Sequence, residues 1–152
     1  MSFSNTIIIG CDHAAVDLKT SIIEYFIKEN IQFDNIGTDD KNVSVHYPDY
    51  GIKVAKSVAS GEHERGILIC GTGIGMSMVA NRFSGVRAAL CNDLFSAQMC
   101  RKHNNANLLV MGGRLIGDVL ATAIVQTFLE TPFEGNRHAE RLAMFETLGE
   151  LL

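Results

Sequence analysis

The sequence contains little of several residue types, and each shortage excludes a class of protein. Tryptophan is absent, only 2 prolines occur in 152 residues, and charged residues make up 20%. A chain with 47% hydrophobic residues and so few prolines is neither disordered nor collagen-like. The 13 basic residues are fewer than the 17 acidic ones, whereas nucleic-acid binding needs a positive field. We therefore expect a globular protein without a nucleic-acid partner.

Cysteines and apolar runs are also too few for a secreted or membrane-embedded protein. The 4 cysteines, Cys11, Cys70, Cys91 and Cys100, form no CxxC pair and match no closed zinc pattern. The apolar run 6–10 is too short for a signal peptide, and no run approaches the about 20 residues of a membrane span. These features predict one cytoplasmic domain over residues 1–152, with reduced thiols, no bound metal and no membrane partner.

The sequence does contain a regular alternation of strand-like and helix-like segments. Apolar, β-branched runs typical of strands buried on both faces alternate with segments of helical periodicity. Strands are predicted at 6–10, 31–37, 66–70, 86–91 and 107–111. Helices are predicted at 14–29, 50–60, 74–83, 94–103, 117–130 and 138–152, with a polar loop at 39–48. This alternation predicts an α/β, Rossmann-like three-layer αβα sandwich around a five-stranded parallel sheet.

A glycine-rich segment follows the third predicted strand. In open α/β sheets ligands bind at the carboxyl ends of the strands, and the segment 71–75 (Gly-Thr-Gly-Ile-Gly) lies at such an end. Its three glycines allow the backbone N–H groups to turn towards one anion. It is not a dinucleotide fingerprint, because Met76 stands where the third glycine would be, and it is not a P-loop. We interpret it as a phosphate or oxyanion site, with a tight strand-to-helix turn as the alternative.

Reactive side chains lie at two strand ends, which are adjacent if the first and third strands are neighbours. Cys70 ends the third predicted strand, where oriented amides and a helix N-terminus favour a thiolate that can act as nucleophile or general base. A buried core thiol is the alternative. Asp12 and His13 follow the first predicted strand, and capping of the first helix by Asp12 is the alternative to a binding role.

Two further pairs lie at helix ends. Arg137 and Arg141 are four residues apart at the start of the last predicted helix, so an anion between them would offset their repulsion. Ion pairs with nearby glutamates are the alternative. His103 and Asn104 end the fourth helix, which returns to the amino ends of the strands. His103 therefore cannot easily reach Cys70 of the same chain.

Together these motifs resemble ribose-5-phosphate isomerase type B, a group shared with the galactose-6-phosphate isomerase subunits. The resemblance covers residues 6 to 145 and rests on the segments 10–13, 67–75, 80–83, 96–98, 103–104 and 135–138. It implies an aldose–ketose isomerase of the non-oxidative pentose phosphate pathway, which interconverts ribose 5-phosphate and ribulose 5-phosphate through an enediolate. It implies no cofactor.

The resemblance also implies residue roles. Cys70 matches the base, and His103 matches the acid that opens the furanose ring. The implied substrate and phosphate contacts are Asp12, His13, Gly71, Thr72, Gly73, Ile74, Gly75, Asn104, Arg114, Arg137 and Arg141. A homodimer with active sites shared between subunits, or a tetramer of such dimers, is implied as well. A galactose-6-phosphate or allose-6-phosphate isomerase, and a non-catalytic phosphate-binding module of flavodoxin-like shape, stay open as alternatives.

Overall fold

Five parallel strands alternate with helices in residues 6–148, the part of the chain that the computed structural model describes. The strands are β1 (Ile7–Cys11), β2 (Phe33–Asn35), β3 (Arg65–Cys70), β4 (Ala88–Leu90) and β5 (Leu108–Gly112). The helices are α1 (Val16–Lys28), α2 (Tyr47–Ala59), α3 (Ile74–Ala80), α4 (Leu94–Asn104), α5 (Asp118–Glu130) and α6 (Arg137–Ala143). Short 3₁₀ turns precede α1 at His13–Ala15 and follow α6 at Met144–Thr147.

The strand order is β2-β1-β3-β5-β4, and every pairing is parallel. The order reverses between β1 and β3, and a crevice for ligands forms at the carboxyl ends of the strands at such a reversal. β1, β3 and β5 form the centre of the sheet, as expected for apolar runs buried on both faces. The predicted Rossmann-like αβα sandwich is confirmed.

Side chains of the central strands alternate between two apolar layers. Ile67 and Ile69 pack with α1, α4 and α5, whereas Leu68 and Cys70 pack with α2 and α3. This period of two is the ordinary consequence of the pleated strand. It decides that the Cys70 side chain lies on the face that α2 and α3 cover.

Several predicted boundaries shift by a few residues. The predicted loop 39–48 ends too late, because Pro48 lies in the first turn of α2, where its missing N–H costs nothing. The third helix ends at Ala80, before the predicted residue 83, and the Asn81 amide there bonds the carbonyls of Ser77 and Ala88. β2 and β4 are short edge strands. The predicted last helix becomes α6 and a 3₁₀ turn, and its final residues, 149–152, lie outside the described residues.

Candidate functional site

Three strand ends bring the predicted carboxyl-edge residues together. β3 lies between β1 and β5, with Cys70 in register with Gly112 of β5. The Asp12 N–H donates to the Ile69 carbonyl at 3.3 Å, and the Arg114 N–H donates to the Gly71 carbonyl at 3.0 Å. Asp12, His13, the loop 71–75 and Arg114 therefore lie together at the carboxyl ends of the strands, where such a sheet forms its crevice, as the sequence predicts.

The loop contacts the Cys70 thiol through its backbone. The Gly73 N–H donates to Cys70 Sγ at 3.2 Å, and the Cys70 residue is 6% exposed. Gly73 has φ +80°, and a Cβ there would lie 3.0 Å from the Met111 carbonyl group and 2.4 Å from Leu90 Cδ1. Only glycine accepts both the positive φ and the close approach of Met111 and Leu90. The Gly73 N–H therefore reaches the sulfur because residue 73 has no side chain.

Other N–H groups of the loop point to an anion site. Within residues 6–148, the N–H groups of Gly71 and Thr72 donate to no protein acceptor. The Thr72 hydroxyl accepts from the Ile74 N–H at 3.3 Å and so holds the loop in place. Arg114 is exposed, and its Cδ would lie 3.5 Å from a Cβ at Gly71. The crevice thus offers two backbone donors and a cation beside the thiol.

The side chains of Asp12 and His13 each accept a hydrogen bond from a backbone N–H. Asp12 is buried, and its carboxylate accepts from the Ala14 N–H at 3.0 Å, so the predicted capping role is present. His13 Nδ1 accepts from the Val45 N–H at 3.2 Å. In a neutral imidazole this bond leaves the proton on Nε2, which is then a donor for a ligand.

Tyr47 is a residue of the crevice that the sequence analysis missed. Its ring lies over Gly75, where a Cβ would meet Tyr47 Cζ at 2.6 Å and the hydroxyl oxygen at 2.9 Å. The residue is 39% exposed, so its hydroxyl stays at the mouth of the crevice. Pro48 was the available signal, because a proline in the first turn of a helix marks the adjacent Tyr47 as the start of that helix.

A buried lysine fixes the base of the loop between β2 and α2. Lys19 is 1% exposed and donates to the Thr38 carbonyl at 2.8 Å and to Asn35 Oδ1 at 3.1 Å. It also forms an ion pair with Asp39. Hydrogen bonds from Lys19 and Asn35 hold the pKa of the Asp39 carboxyl below its usual range. The loop that carries Val45 to His13 is therefore anchored at its start.

A second group of predicted residues lies at the opposite edge of the sheet. α4 ends at Asn104, just before β5 begins at Leu108. The 5 residues of β5 span about 16 Å, so His103 and Asn104 are separated from Cys70 by about the length of a strand. α6 packs against α4 and carries Arg137 and Arg141 to this same edge. The predicted site residues of one chain therefore form two groups, one at the carboxyl ends and one at the amino ends of the strands.

The two arginines of α6 are free of acidic partners in the described part of the chain. Glu134 pairs instead with Lys102 at 3.7 Å and with His138 at 3.8 Å. Arg137 and Arg141 are both exposed and form no ion pair within residues 6–148. The alternative in which nearby glutamates neutralise them is therefore wrong for these residues.

Three possible ligand atoms lie close together at the same edge. His103, Glu134 and His138 each offer one within 4.8 Å of the others. The two imidazole planes, however, are stacked at 4.3 Å and nearly parallel, 11° apart. Lone pairs of imidazole lie in the ring plane, so two parallel rings cannot both point at one ion. The cluster in this arrangement is not a metal site.

The other thiols lack the surroundings of Cys70. Burial raises the pKa of Cys11 to about 12, so it stays protonated. The hydrogen bond between the two other thiols raises the pKa of Cys91, to which burial adds, and lowers the pKa of Cys100. All four cysteines are free and buried. Cys70 is the one whose sulfur accepts a backbone N–H of the glycine loop.

Ser57, His63 and Asp34 contact one another in the order of the Ser-His-Asp triad of hydrolases. Ser57 Oγ lies 2.6 Å from His63 Nδ1, and His63 Nε2 lies 2.9 Å from Asp34 Oδ2. Ser57 is buried and donates to Glu62 at 2.8 Å, so its hydroxyl is already engaged. These contacts tie the turn before β3 to the edge strand β2, and we assign them a structural role.

A thiol beside open backbone donors, near a cation and a histidine, defines a site that can move a proton next to an anionic group. The comparison with known families agrees: a model described as Ribose/Galactose Isomerase matches residues 7–145. The chain belongs to the ribose/galactose isomerase family.

Individual relatives match over nearly their whole length. The crystal structure of a ribose 5-phosphate isomerase from Thermotoga maritima is 49% identical, has a TM-score of 0.91, and covers 94% of this chain and 98% of its own. Ribose-5-phosphate isomerase B of Escherichia coli is 42% identical over 133 residues, 88% of this chain and 89% of that protein. D-erythrulose-4-phosphate isomerase of Pectobacterium atrosepticum is 42% identical over 137 residues, 90% of each chain.

These findings decide between the classes that the sequence left open. The chain is an enzyme of the sugar-phosphate isomerase class, so the enzyme prediction is confirmed and the non-catalytic alternative is wrong. None of the helices within residues 6–148 has the length and apolar composition of a membrane span.

Proposed function

We propose that the chain interconverts ribose 5-phosphate and ribulose 5-phosphate, with Cys70 as the base. The observation that carries this proposal is the Gly73 N–H at 3.2 Å from Cys70 Sγ, in a crevice with unpaired loop N–H groups. A thiolate there removes the C2 proton of the open-chain aldose and delivers a proton to C1. The aldehyde oxygen gains a proton, the O2 hydroxyl loses one, and the ketose results.

The loop stabilises the negative charge of the enediolate. Charge develops on O1 and O2 as the C2 proton leaves, and donors fixed in advance lower the barrier most when they meet this charge. The N–H groups of Gly71 and Thr72 are such donors. His13 Nε2 and Arg114 extend the donor set along the sugar. The phosphate, held far from C1, positions the reacting carbons.

A second copy of the chain completes the site. In our proposal His103 of one subunit donates a proton to the furanose ring oxygen of a sugar held at Cys70 of the other. Asn104, Arg137 and Arg141 come with His103 and bind the hydroxyls and the phosphate. The separation of these residues from Cys70 within one chain supports a two-fold dimer with shared sites. Exposed apolar side chains that can form its interface lie in α3, near the starts of α4 and α5, and between β5 and α5: Ile74, Met78, Phe95, Leu115 and Val119.

The choice of sugar is the finer part of the proposal. Relatives named for ribose 5-phosphate support the five-carbon substrate, and one relative is named for a four-carbon ketose phosphate. Galactose 6-phosphate and allose 6-phosphate are the six-carbon alternatives. We expect Tyr47, which lies over Gly75, to limit the length of the sugar. Initial rates with ribose 5-phosphate, erythrulose 4-phosphate and the two hexose phosphates, measured side by side, decide among them.

Replacement of the thiol tests the base. We expect Cys70→Ala to lower kcat for ribose 5-phosphate by about 10²–10⁴-fold, because a general base contributes that much. Sugar-phosphate binding should persist, since the backbone donors and the arginines are unchanged. Cys11→Ala, whose thiol is also buried, is the matched control and should keep near-normal turnover. A Cys70→Ala enzyme that keeps more than about a tenth of the turnover would assign the base to another residue.

Complementation tests the shared site. Cys70→Ala and His103→Ala proteins are each expected to be inactive, and they are mixed under conditions that allow subunit exchange. Each hybrid dimer would carry one intact site and one doubly damaged site, so activity should return. Mass spectrometry of the mixture shows whether exchange has occurred. Hybrid dimers without activity would contradict the shared site.

A further inference from the structure

His138 covers one face of His103, the proposed acid. The two ring centroids are 4.3 Å apart, and the ring planes differ by 11°. His103 lies in the last turn of α4, and His138 is the second residue of α6. His138 is 6% exposed, whereas His103 stays partly exposed. A buried ring thus stacks on an accessible one.

Contacts of the Glu134 backbone and side chain lie next to the stack. The Glu134 N–H donates to the Lys102 carbonyl at 3.1 Å, which ties the segment before α6 to the end of α4. The Glu134 carboxylate lies 3.8 Å from His138 Nε2 and 3.7 Å from the Lys102 ammonium. The Glu134 carboxylate therefore lies beside the His138 ring, and His103 lies against its face.

Electrostatics keep the stack attractive. Burial lowers the pKa of His138, and the nearby His103, Arg137 and Arg141 lower it further, while Glu134 opposes them. These effects favour the neutral form of His138. A neutral aromatic face attracts a cation that lies over it, so the stack tolerates a protonated His103. Two charged rings at this distance would repel each other.

We propose that His138 is a positioning residue, which holds the His103 imidazole in the orientation needed to protonate the furanose ring oxygen. The inference rests on the proposed function, in which His103 is the ring-opening acid. A general acid must come within hydrogen-bond reach of its target, and a misplacement of about 1 Å can cost about 10²-fold in rate. An unstacked His103 would rotate freely on the last turn of α4.

The ring-opening step can be separated from the isomerisation step by the choice of substrate. Ribose 5-phosphate is mainly a furanose, which opens when the ring oxygen gains a proton, the bond from C1 to that oxygen breaks and the C1 hydroxyl loses its proton. Ribulose 5-phosphate cannot form a furanose, because its O5 carries the phosphate. In deuterated water, exchange at C1 of ribulose 5-phosphate therefore reports on the Cys70 step alone.

Three variants and one control make the test. His138→Ala and His138→Asn remove the stacking ring, whereas His138→Phe keeps a flat ring of similar size. Glu140→Gln, at an exposed position of α6, is the matched control. We expect the Ala and Asn variants to lose about 10–10²-fold in kcat for ribose 5-phosphate, with little change in KM or in C1 exchange. His138→Phe and the control should stay within about threefold of the wild type.

The outcomes separate this inference from the proposed function. Equal losses of ribose 5-phosphate turnover and C1 exchange would mean a merely structural role, and a Phe variant as slow as the Ala variant would also overturn the proposal. If His138→Ala does not fold, the Asn and Phe variants carry the same comparison. The NMR signals of the His103 ring protons do not depend on activity. The ring current of residue 138 should shift them in the wild type and the Phe variant and not in the Ala or Asn variants. A wild type without isomerase activity would refute the proposed function and leave this spectroscopic test standing.

Discussion

Gly73→Ala tests how the glycine loop builds the site. Gly73 has φ +80°, and an added Cβ would lie 3.0 Å from both the carbonyl carbon and the carbonyl oxygen of Met111. The Leu90 side chain, 2.4 Å away, can move because it is partly exposed, but the backbone of β5 cannot. The substitution therefore destabilises the fold in two ways: it strains the backbone at positive φ, and it crowds the Met111 carbonyl group.

The expected loss of stability follows from these two costs. A left-handed conformation costs a residue with a side chain about 1–2 kcal/mol. Overpacking against a rigid neighbour costs about 1–3 kcal/mol more. We therefore expect Gly73→Ala to lower the free energy of unfolding by about 2–5 kcal/mol. The displaced loop should also move its N–H groups away from Cys70 Sγ and the enediolate, which should lower kcat by about 10²–10³-fold.

Gly85→Ala provides the matched control. Gly85 has the same φ of +80°, but nothing lies within 4 Å of a Cβ built there. It should lose only the conformational cost, about 1–2 kcal/mol, and keep its turnover. Urea unfolding followed by far-UV circular dichroism, at one protein concentration, gives the difference between the variants. Equal stabilities and equal turnover for the two variants would refute the argument from the Met111 contact.

Two further predictions concern charges. Arg137→Ala and Arg141→Ala should each lose a charge-assisted contact of about 1.5–3 kcal/mol, which raises the inhibition constant of inorganic phosphate about tenfold or more. Arg82→Ala, at an exposed position, is the control and should leave this constant unchanged. Unchanged phosphate inhibition in both variants would remove Arg137 and Arg141 from the site. Lys19→Met should lower the free energy of unfolding by about 1–3 kcal/mol, because the Thr38 carbonyl loses its donor at 2.8 Å and keeps only the longer contact from the Cys11 thiol at 3.6 Å. Since the pKa of Asp39 is lowered in the folded state, its contribution to stability is present above about pH 4 and is lost as the pH falls through the folded pKa. Acid titration of unfolding should therefore show a steeper loss below pH 4 in the wild type than in Lys19→Met, and parallel curves would contradict the role of this pair.

The sequence by itself determined the layers of the fold and the residues at the carboxyl edge. The strand and helix patterns reflect which side chains are buried, and each pattern is visible within a short stretch of sequence. In a parallel sheet all carboxyl ends share one edge, so Asp12, Cys70 and Arg114 could be grouped without knowledge of the strand order. The same rule placed His103 at the amino ends of the strands, because a helix that connects two parallel strands runs antiparallel to them.

Only the tertiary structure decided which residues meet across long stretches of chain. Tyr47 covers Gly75, and His138 stacks on His103, although each pair is far apart in sequence. Lys19 reaches the Thr38 carbonyl 19 residues away and so looks like an ordinary helix lysine in the sequence. Such contacts depend on how helices pack over the sheet and on the paths of loops, which no local pattern encodes. The sequence therefore marks the chemical groups, whereas packing decides which of them are held rigidly enough to act together.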